Sequence, residues 1–349
     1  MSRRAGRSRK RKGTSMWSDG AWAKRIRSTI NGNDYAFRNV VKGTSRRHNH
    51  CHTVRAVINR KKGPIIGPIS VIAKRHIYPT RATSHVDVDG KNPTRLSGDE
   101  ARNMKYITDV VGQGLVPELY GHSSNQNLLI GEYLGDACLR DVILKSDGED
   151  RIAALAQAVQ VVARFGGLCT SKMATFRRRH TGYAMECDVR RGKSWNLLEH
   201  RVEALSRERD FHARPQIKYL KELGEVFILR EVMGHGDFNL EHVRPVLGRK
   251  GPLKEYDKVI DLEDFGIYPQ VSDICDALLI RDVGLGKVIS HQEFPRLLEL
   301  YLALEHAYSS TGDSKLASEV VSYSPEDLSA YLRSSTTISE AQYADFVFG

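Results

Sequence analysis

The sequence predicts an α+β chain of two lobes, a strand-rich N-lobe followed by a larger helical C-lobe. Three observations predict it. β-Branched and apolar runs separated by glycine and basic residues fill roughly residues 37 to 80. The apolar period then changes from two to about 3.6 near Ser97, and it stays helical over most of the chain after Leu139. A length of 349 residues, 40% hydrophobic and 27% charged, supports a sizeable core and excludes a wholly disordered or collagen-like chain.

Within the N-lobe, strands are expected at Asn39–Lys42, Thr53–Asn59 and Ile69–His76, joined as a twisted antiparallel meander. A helix is expected over 97–111, with Ser97 as N-cap, Glu100 three residues on in a capping-box relation, and Met104, Ile107 and Val111 as its apolar stripe. Leu128–Tyr133 is strand-like, and Leu139–Lys145 starts a helix. In the C-lobe, Ile152, Leu155, Val159, Val162 and Phe165 put one helix over 151–168, and Trp195, Leu198, Val202 and Leu205 put another over 193–208. Residues 170–192 between them are polar and basic, which suits a mobile loop. Two more helices are expected over 293–308 and 323–334, the second capped by Ser324.

The net charge of +11 is concentrated at one end. Residues 1–62 hold 18 Lys or Arg against Asp19 and Asp34, a local +16, so the remainder carries −5. Residues 1–36 therefore read as a basic, disordered arm that binds nucleic acid weakly by counterion release, ahead of an N-lobe at 37–134 and a C-lobe at 135–349. Trp17, Trp22 and Ile26, at near-helical spacing, offer the alternative of one amphipathic turn docked on the body. No membrane span and no secretory leader is expected, which points to the cytoplasm, with nuclear or organellar targeting by the arm left open. The five scattered cysteines never form a CxxC pair and read mostly as buried thiols. His48, His50 and His52, alternating along a strand start, weakly suggest a metal site against the alternative of a basic, exposed strand end. The oligomeric state is not legible.

The stretch richest in chemistry is Gly234-His235-Gly236-Asp237-Phe238-Asn239-Leu240-Glu241-His242, followed by Val259-Ile260-Asp261-Leu262-Glu263-Asp264-Phe265-Gly266. Strands at Val243–Leu247 and Tyr256–Ile260 flank a turn at 248–252, and a hairpin there returns Asp261 to the end where Asp237 lies. Two carboxylates at one mouth suit a metal–phosphate site, one accepting a hydroxyl proton and the other holding Mg²⁺.

This motif set resembles the aminoglycoside phosphotransferase group of the protein-kinase-like superfamily. Val71-Ile72-Ala73-Lys74 resembles the strand that carries a nucleotide-binding lysine, Glu132-Tyr133-Leu134 the hinge that holds adenine, and Ser272-Asp273-Ile274-Cys275 the segment whose aspartate braces the catalytic loop. The resemblance implies a two-lobed protein-kinase-like fold and transfer of the γ-phosphoryl group of ATP or GTP to a hydroxyl of a small molecule. It makes Asp237 the catalytic acid, His235 its loop support, Asp261 with His242 the Mg²⁺ ligands, and Lys74 the phosphate ligand oriented by Glu100. Glu132 and Tyr133 would flank the base, and backbone amides near Gly43 and Ser45 would cover the phosphates. His242 stands where the family usually has Asn, and Asp264-Phe265-Gly266 spells a triplet that here follows the expected metal ligand instead of containing it. The alternative is an inactive kinase-like binding module, associated with nucleic acid through its arm.

Overall fold

The computed structural model describes residues 16–48, 51–62, 66–77, 93–112, 114–180, 231–245, 256–280, 285, 288–289 and 293–313. They fall into two compact units, one from the residues up to Ala101 with Glu118–Tyr133, the other from Arg102–Pro117 with the residues from Leu134 on.

The first unit is an antiparallel sheet with a helix against one face. Its strands are β1 (Tyr35–Val40), β2 (Arg46–Arg47), β3 (Cys51–Arg60), β4 (Gly67–His76), β5 (Leu119–Ser123) and β6 (Leu128–Glu132), in the order β1-β3-β4-β6-β5 with β2 beside β3. Alternation decides the faces. Val54, Ala56 and Ile58 of β3 and Val71 and Ala73 of β4 point one way into a buried cluster. The cluster is closed by α1 (Asp19–Thr29), whose Trp22 and Ile26, four residues apart, are both fully buried in it. Ser18 caps that helix by accepting from Ala21 N at 3.3 Å. Gly121 of β5 lets its last turn approach: a Cβ there would meet the Thr29 carbonyl oxygen at 2.7 Å.

The arm expected over 1–36 is corrected by α1. Residues 19–29 are helical and belong to the core of the first unit, because Trp22 and Ile26 hide apolar surface the sheet face would otherwise expose. Residues 1–15 lie outside the described residues. The helix expected from Ser97 begins earlier, as α2 (Pro93–Tyr106), so Ser97 is buried inside the helix and does not cap it.

The second unit is mainly helical: α3 (Leu139–Lys145), α4 (Gly148–Thr170), α5 (Met173–Arg179), α6 (Ser272–Cys275) and α7 (Glu293–Thr311), with two small antiparallel pairs, β7 (Glu231–Gly234) on β10 (Gly266–Pro269) and β8 (Val243–Pro245) on β9 (Tyr256–Val259). By length and composition α4 is apolar enough to cross a membrane, yet 72% of its most apolar window is buried inside the protein, as in a core helix. It packs on α7 closely because Gly167 has no side chain; a Cβ there would stand 2.5 Å from the Tyr308 Cβ. Phe165, Phe238, Phe265 and Phe176 form an aromatic core, with Phe165 and Phe265 edge to face at 5.9 Å. The loop expected at 170–192 contains α5, whose Phe176 is anchored in that core. The helices expected over 193–208 and 323–334 lie outside the described residues.

Candidate active site

In the first unit, Lys74 and Glu100 meet as an ion pair, Nζ to Oε2 at 2.9 Å, with both side chains largely buried. Lys74 leaves β4 on the face opposite the Trp22 cluster, since its neighbours Ala73 and Val71 point into that cluster. His76, two residues on and fully buried, sets Nε2 2.9 Å from the same Glu100 oxygen. Glu100 is thus held by two bases, of which the sequence reading found one. The signal for His76 was there, in a strand residue at i+2 from the lysine.

The hinge residues also fall in this unit. Glu132 accepts from Glu118 N with its side chain at 3.2 Å, and Tyr133 donates its backbone N–H to Ser70 at 3.2 Å. The Tyr133 hydroxyl accepts from Arg55 Nη1 at 2.8 Å while that guanidinium covers its ring. Gly43 sits at φ 72° in the turn between β1 and β2, a conformation that favours glycine, and Ser45 Oγ is buried beyond it with no hydrogen-bond partner among the described residues. Thr44 secures the turn, donating to Val41 O at 2.7 Å and accepting from Arg55 N at 3.1 Å.

In the second unit the loop after β7 is built on one buried carboxylate. Asp273 of α6 accepts from His235 N at 2.6 Å and from Gly236 N at 3.0 Å. Glycine is required on both sides of His235: a Cβ on Gly234 would stand 2.8 Å from Asp273 Oδ2, and one on Gly236, at φ 81°, 2.1 Å from the Tyr268 hydroxyl. The His235 ring, fully buried, places Nε2 2.8 Å from the Ile260 carbonyl and accepts Asp237 N on Nδ1 at 3.3 Å. One imidazole thereby links the loop bearing Asp237 to the strand end bearing Asp261. Burial raises the Asp273 carboxyl above the usual range, an effect that the nearby His235 and the two N–H groups oppose and Asp237 adds to.

The hairpin joins the other acid to the same place. Val243 pairs with Val259, and Ile260 N donates to His242 O at 3.0 Å. Asp261 follows in a left-handed conformation at φ 68°, which turns the chain as the strand ends. His242 Nε2 lies 3.4 Å from Asp261 Oδ2, and its ring stacks on His235 at 5.3 Å between centroids. Asp264 sits at the end of the short helical turn Leu262–Asp264, with its backbone carbonyl taking the Tyr268 hydroxyl. Asn103 donates to Leu262 O at 2.8 Å and fixes that turn from within. Asn103 carries no sequence signal, because it acts on a backbone carbonyl far from it along the chain; Tyr268 acts on one only four residues back.

Lys74, Glu100, Glu132, Tyr133, Gly43 and Ser45 thus lie in the first unit, and His235, Asp237, His242 and Asp261 in the second. No family model and no curated protein matches the sequence. Among solved structures, the chain is similar over 96% of its length to all of the chain in the gentamicin–APH(2")-IIa complex, at 15% identity and a TM-score of 0.39. Over 91% of its length it is similar to 98% of macrolide 2'-phosphotransferase MphH from Brachybacterium faecium, at 13% identity and a TM-score of 0.36. Choline kinase LicA from Streptococcus pneumoniae matches with 98% of its chain over 86% of this one, at 10% identity and a TM-score of 0.30. The chain is similar, at low identity throughout, to aminoglycoside and macrolide phosphotransferases.

Proposed function

We propose that the protein transfers the γ-phosphoryl group of ATP or GTP to a hydroxyl of a small molecule, with Mg²⁺. The observation that carries this reading is the pinned loop of the second unit, where Asp273 takes the N–H groups of His235 and Gly236 and His235 reaches Ile260. A partly exposed acid on a loop held by three hydrogen bonds, one of them buried and two partly so, is an arrangement for positioning, which is most of what phosphoryl transfer asks of a protein. Asp237 would align the acceptor hydroxyl and take its proton. Lys74, kept extended by Glu100, would neutralise phosphate oxygens.

The donor set after β9 fits a small divalent ion. Asp261 offers hard carboxylate oxygens, and the 3.4 Å between Oδ2 and His242 Nε2 is close to the roughly 3 Å between adjacent ligands of an octahedral ion with bonds near 2.1 Å. Asp261, with His242 beside it, would hold the ion, which when bound neutralises charge on the phosphate oxygens.

The test is ADP or GDP release with Mg²⁺ over a panel of hydroxyl compounds. Asp237→Asn is expected to lower turnover by about 10²- to 10⁴-fold while leaving nucleotide binding, read by thermal shift, in place. Nucleotide binding without turnover on any acceptor would favour the inactive binding module.

A second expected outcome separates the two acids of the segment. Asp261→Ala abolishes the Mg²⁺-dependent part of the nucleotide thermal shift, and Asp264→Ala leaves most of it, because Asp261 faces His242 whereas Asp264 enters the turn through its backbone carbonyl. The reverse result would move the metal ligand three residues along.

A further inference from the structure

His52 is a buried side chain of the first unit whose polar atoms are unsatisfied among the described residues. It has no exposed surface, and among the described residues neither ring nitrogen has a hydrogen-bond partner. The expectation of an exposed strand end at His52 is thereby corrected. In the β3–β4 ladder His52 stands opposite Arg75, and in the β2–β3 ladder opposite Arg47. Arg75 shares the face of Ala73 and Val71, the face covered by α1, so it points away from Lys74 and Glu100 on the other side of the sheet.

Arg75 is in an unusual position as well. Its guanidinium lies 4.1 Å from the centre of the Trp17 ring, its Nε is buried without a partner among the described residues, and Arg25 stands over the same ring at 5.1 Å. Among the described residues, every charged group that acts on these two is itself a base: Arg25 on Arg75, and Arg75, Arg47 and His48 on His52. Burial and these cations push His52 and Arg75 below their ordinary pKa values. Buried donors without acceptors, in a group where no carboxylate acts among the described residues, are an environment that an anion satisfies.

We propose that Arg75 and Arg25 at Trp17, with His52 and Arg47 beside Arg75 across the strand ladders, form an oxyanion site that takes a phosphate group, either free or carried in a nucleic-acid chain. Trp17 holds the Arg75 plane by stacking, which leaves its N–H edge for the ligand. His52, from beneath, supplies one N–H. The site is separate from the one proposed for the nucleotide, since Lys74 leaves the opposite face of β4.

The experiment titrates inorganic phosphate into the full chain, with chloride holding ionic strength constant, and reads the thermal midpoint. A saturable rise is expected in the wild type and equally in Lys74→Ala. Arg75→Met and His52→Leu are expected to lose it. Both residues touch the core and these variants can fold poorly, so Arg47→Ser, at an exposed position, decides: phosphate affinity falls roughly three- to tenfold with the midpoint in chloride unchanged. A single-stranded oligonucleotide that displaces the phosphate identifies phosphodiesters as the ligand, and one that fails to do so identifies a free phosphate. No rise beyond that in chloride overturns the proposal. A rise that Lys74→Ala abolishes and Arg47→Ser keeps overturns it too, and assigns the phosphate to the nucleotide site.

Discussion

Trp22→Ala is expected to cost the first unit about 3–5 kcal/mol, among the largest losses a single truncation produces. The indole has no exposed surface, meets Trp17 edge to face at 4.8 Å, and lies in the cluster with Val54, Ala56 and Ile58. Nothing on the sheet collapses easily to fill the space, because β3 and β4 are held by a continuous ladder from Cys51↔His76 to Arg60↔Gly67. The measurement is urea unfolding, in which the midpoint falls while the slope stays constant. Removing residues 1–36 takes away Trp22, Ile26 and Ile30 together and is expected to unfold the first unit, whereas removing 1–15 leaves it folded. A stable, nucleotide-binding chain without residues 1–36 would show that α1 is a dispensable cover.

Asp273→Ala is expected to be as damaging to turnover as to stability. Without the carboxylate, the N–H groups of His235 and Gly236 face a buried void, at a cost of about 1–3 kcal/mol for each unsatisfied donor. The loop then loses the geometry that aims Asp237, and turnover on the best acceptor should fall by about 10²-fold or more, the scale set by a displacement of about 1 Å at a reacting group. Asp273→Asn keeps one carbonyl oxygen and should retain more of both. The substitution also carries a pH signature. Burial raises the carboxyl's pKa in the folded state above the 3.8 of the free group, so between these two values the native state binds more protons than the unfolded state. The pH-dependent part of Asp273's contribution to stability is present in full below pH 3.8 and is lost as pH rises through the folded value, on top of its hydrogen bonds to His235 and Gly236. In Asp273→Asn this fall is absent. An Asn variant with the wild-type dependence over that window would place the titration elsewhere.

Much of this architecture is legible in the chain because it is written in short-range pattern. Strand alternation located β3 and β4 to within a few residues, and the Ile152-to-Phe165 stripe located α4. The hairpin from Val243 to Val259 was readable from two apolar runs around a turn, and with it the return of Asp261 to the His235–Asp237 loop. The start of α2 was misplaced because Ser97 and Glu100 imitate a capping box. In the structure Ser97 is buried and Glu100 is spent on Lys74 and His76, a tertiary use that overrides the local preference for a cap. The basic composition of residues 1–36 favoured a solvated arm over the docked amphipathic turn that Trp17, Trp22 and Ile26 also offer: net charge describes solvation along a segment, whereas two apolar side chains four residues apart suffice to dock it.

By itself the sequence supplied β3, β4 and β6, the long helix α4 and the hairpin around Asp261, and named Asp237, Asp261, Lys74 and Glu100 as candidates, since residue type and period are properties of neighbouring residues. Only the tertiary structure decided that His76 shares Glu100, which two N–H groups the bracing Asp273 takes, and that among the described residues only bases act on His52. The pairings of His76, of Asp273 and of His52 with Arg75 join residues more than twenty positions apart in the chain. Those of His52 and His76 depend on strand register, and a shift of one residue would send either side chain to the opposite face.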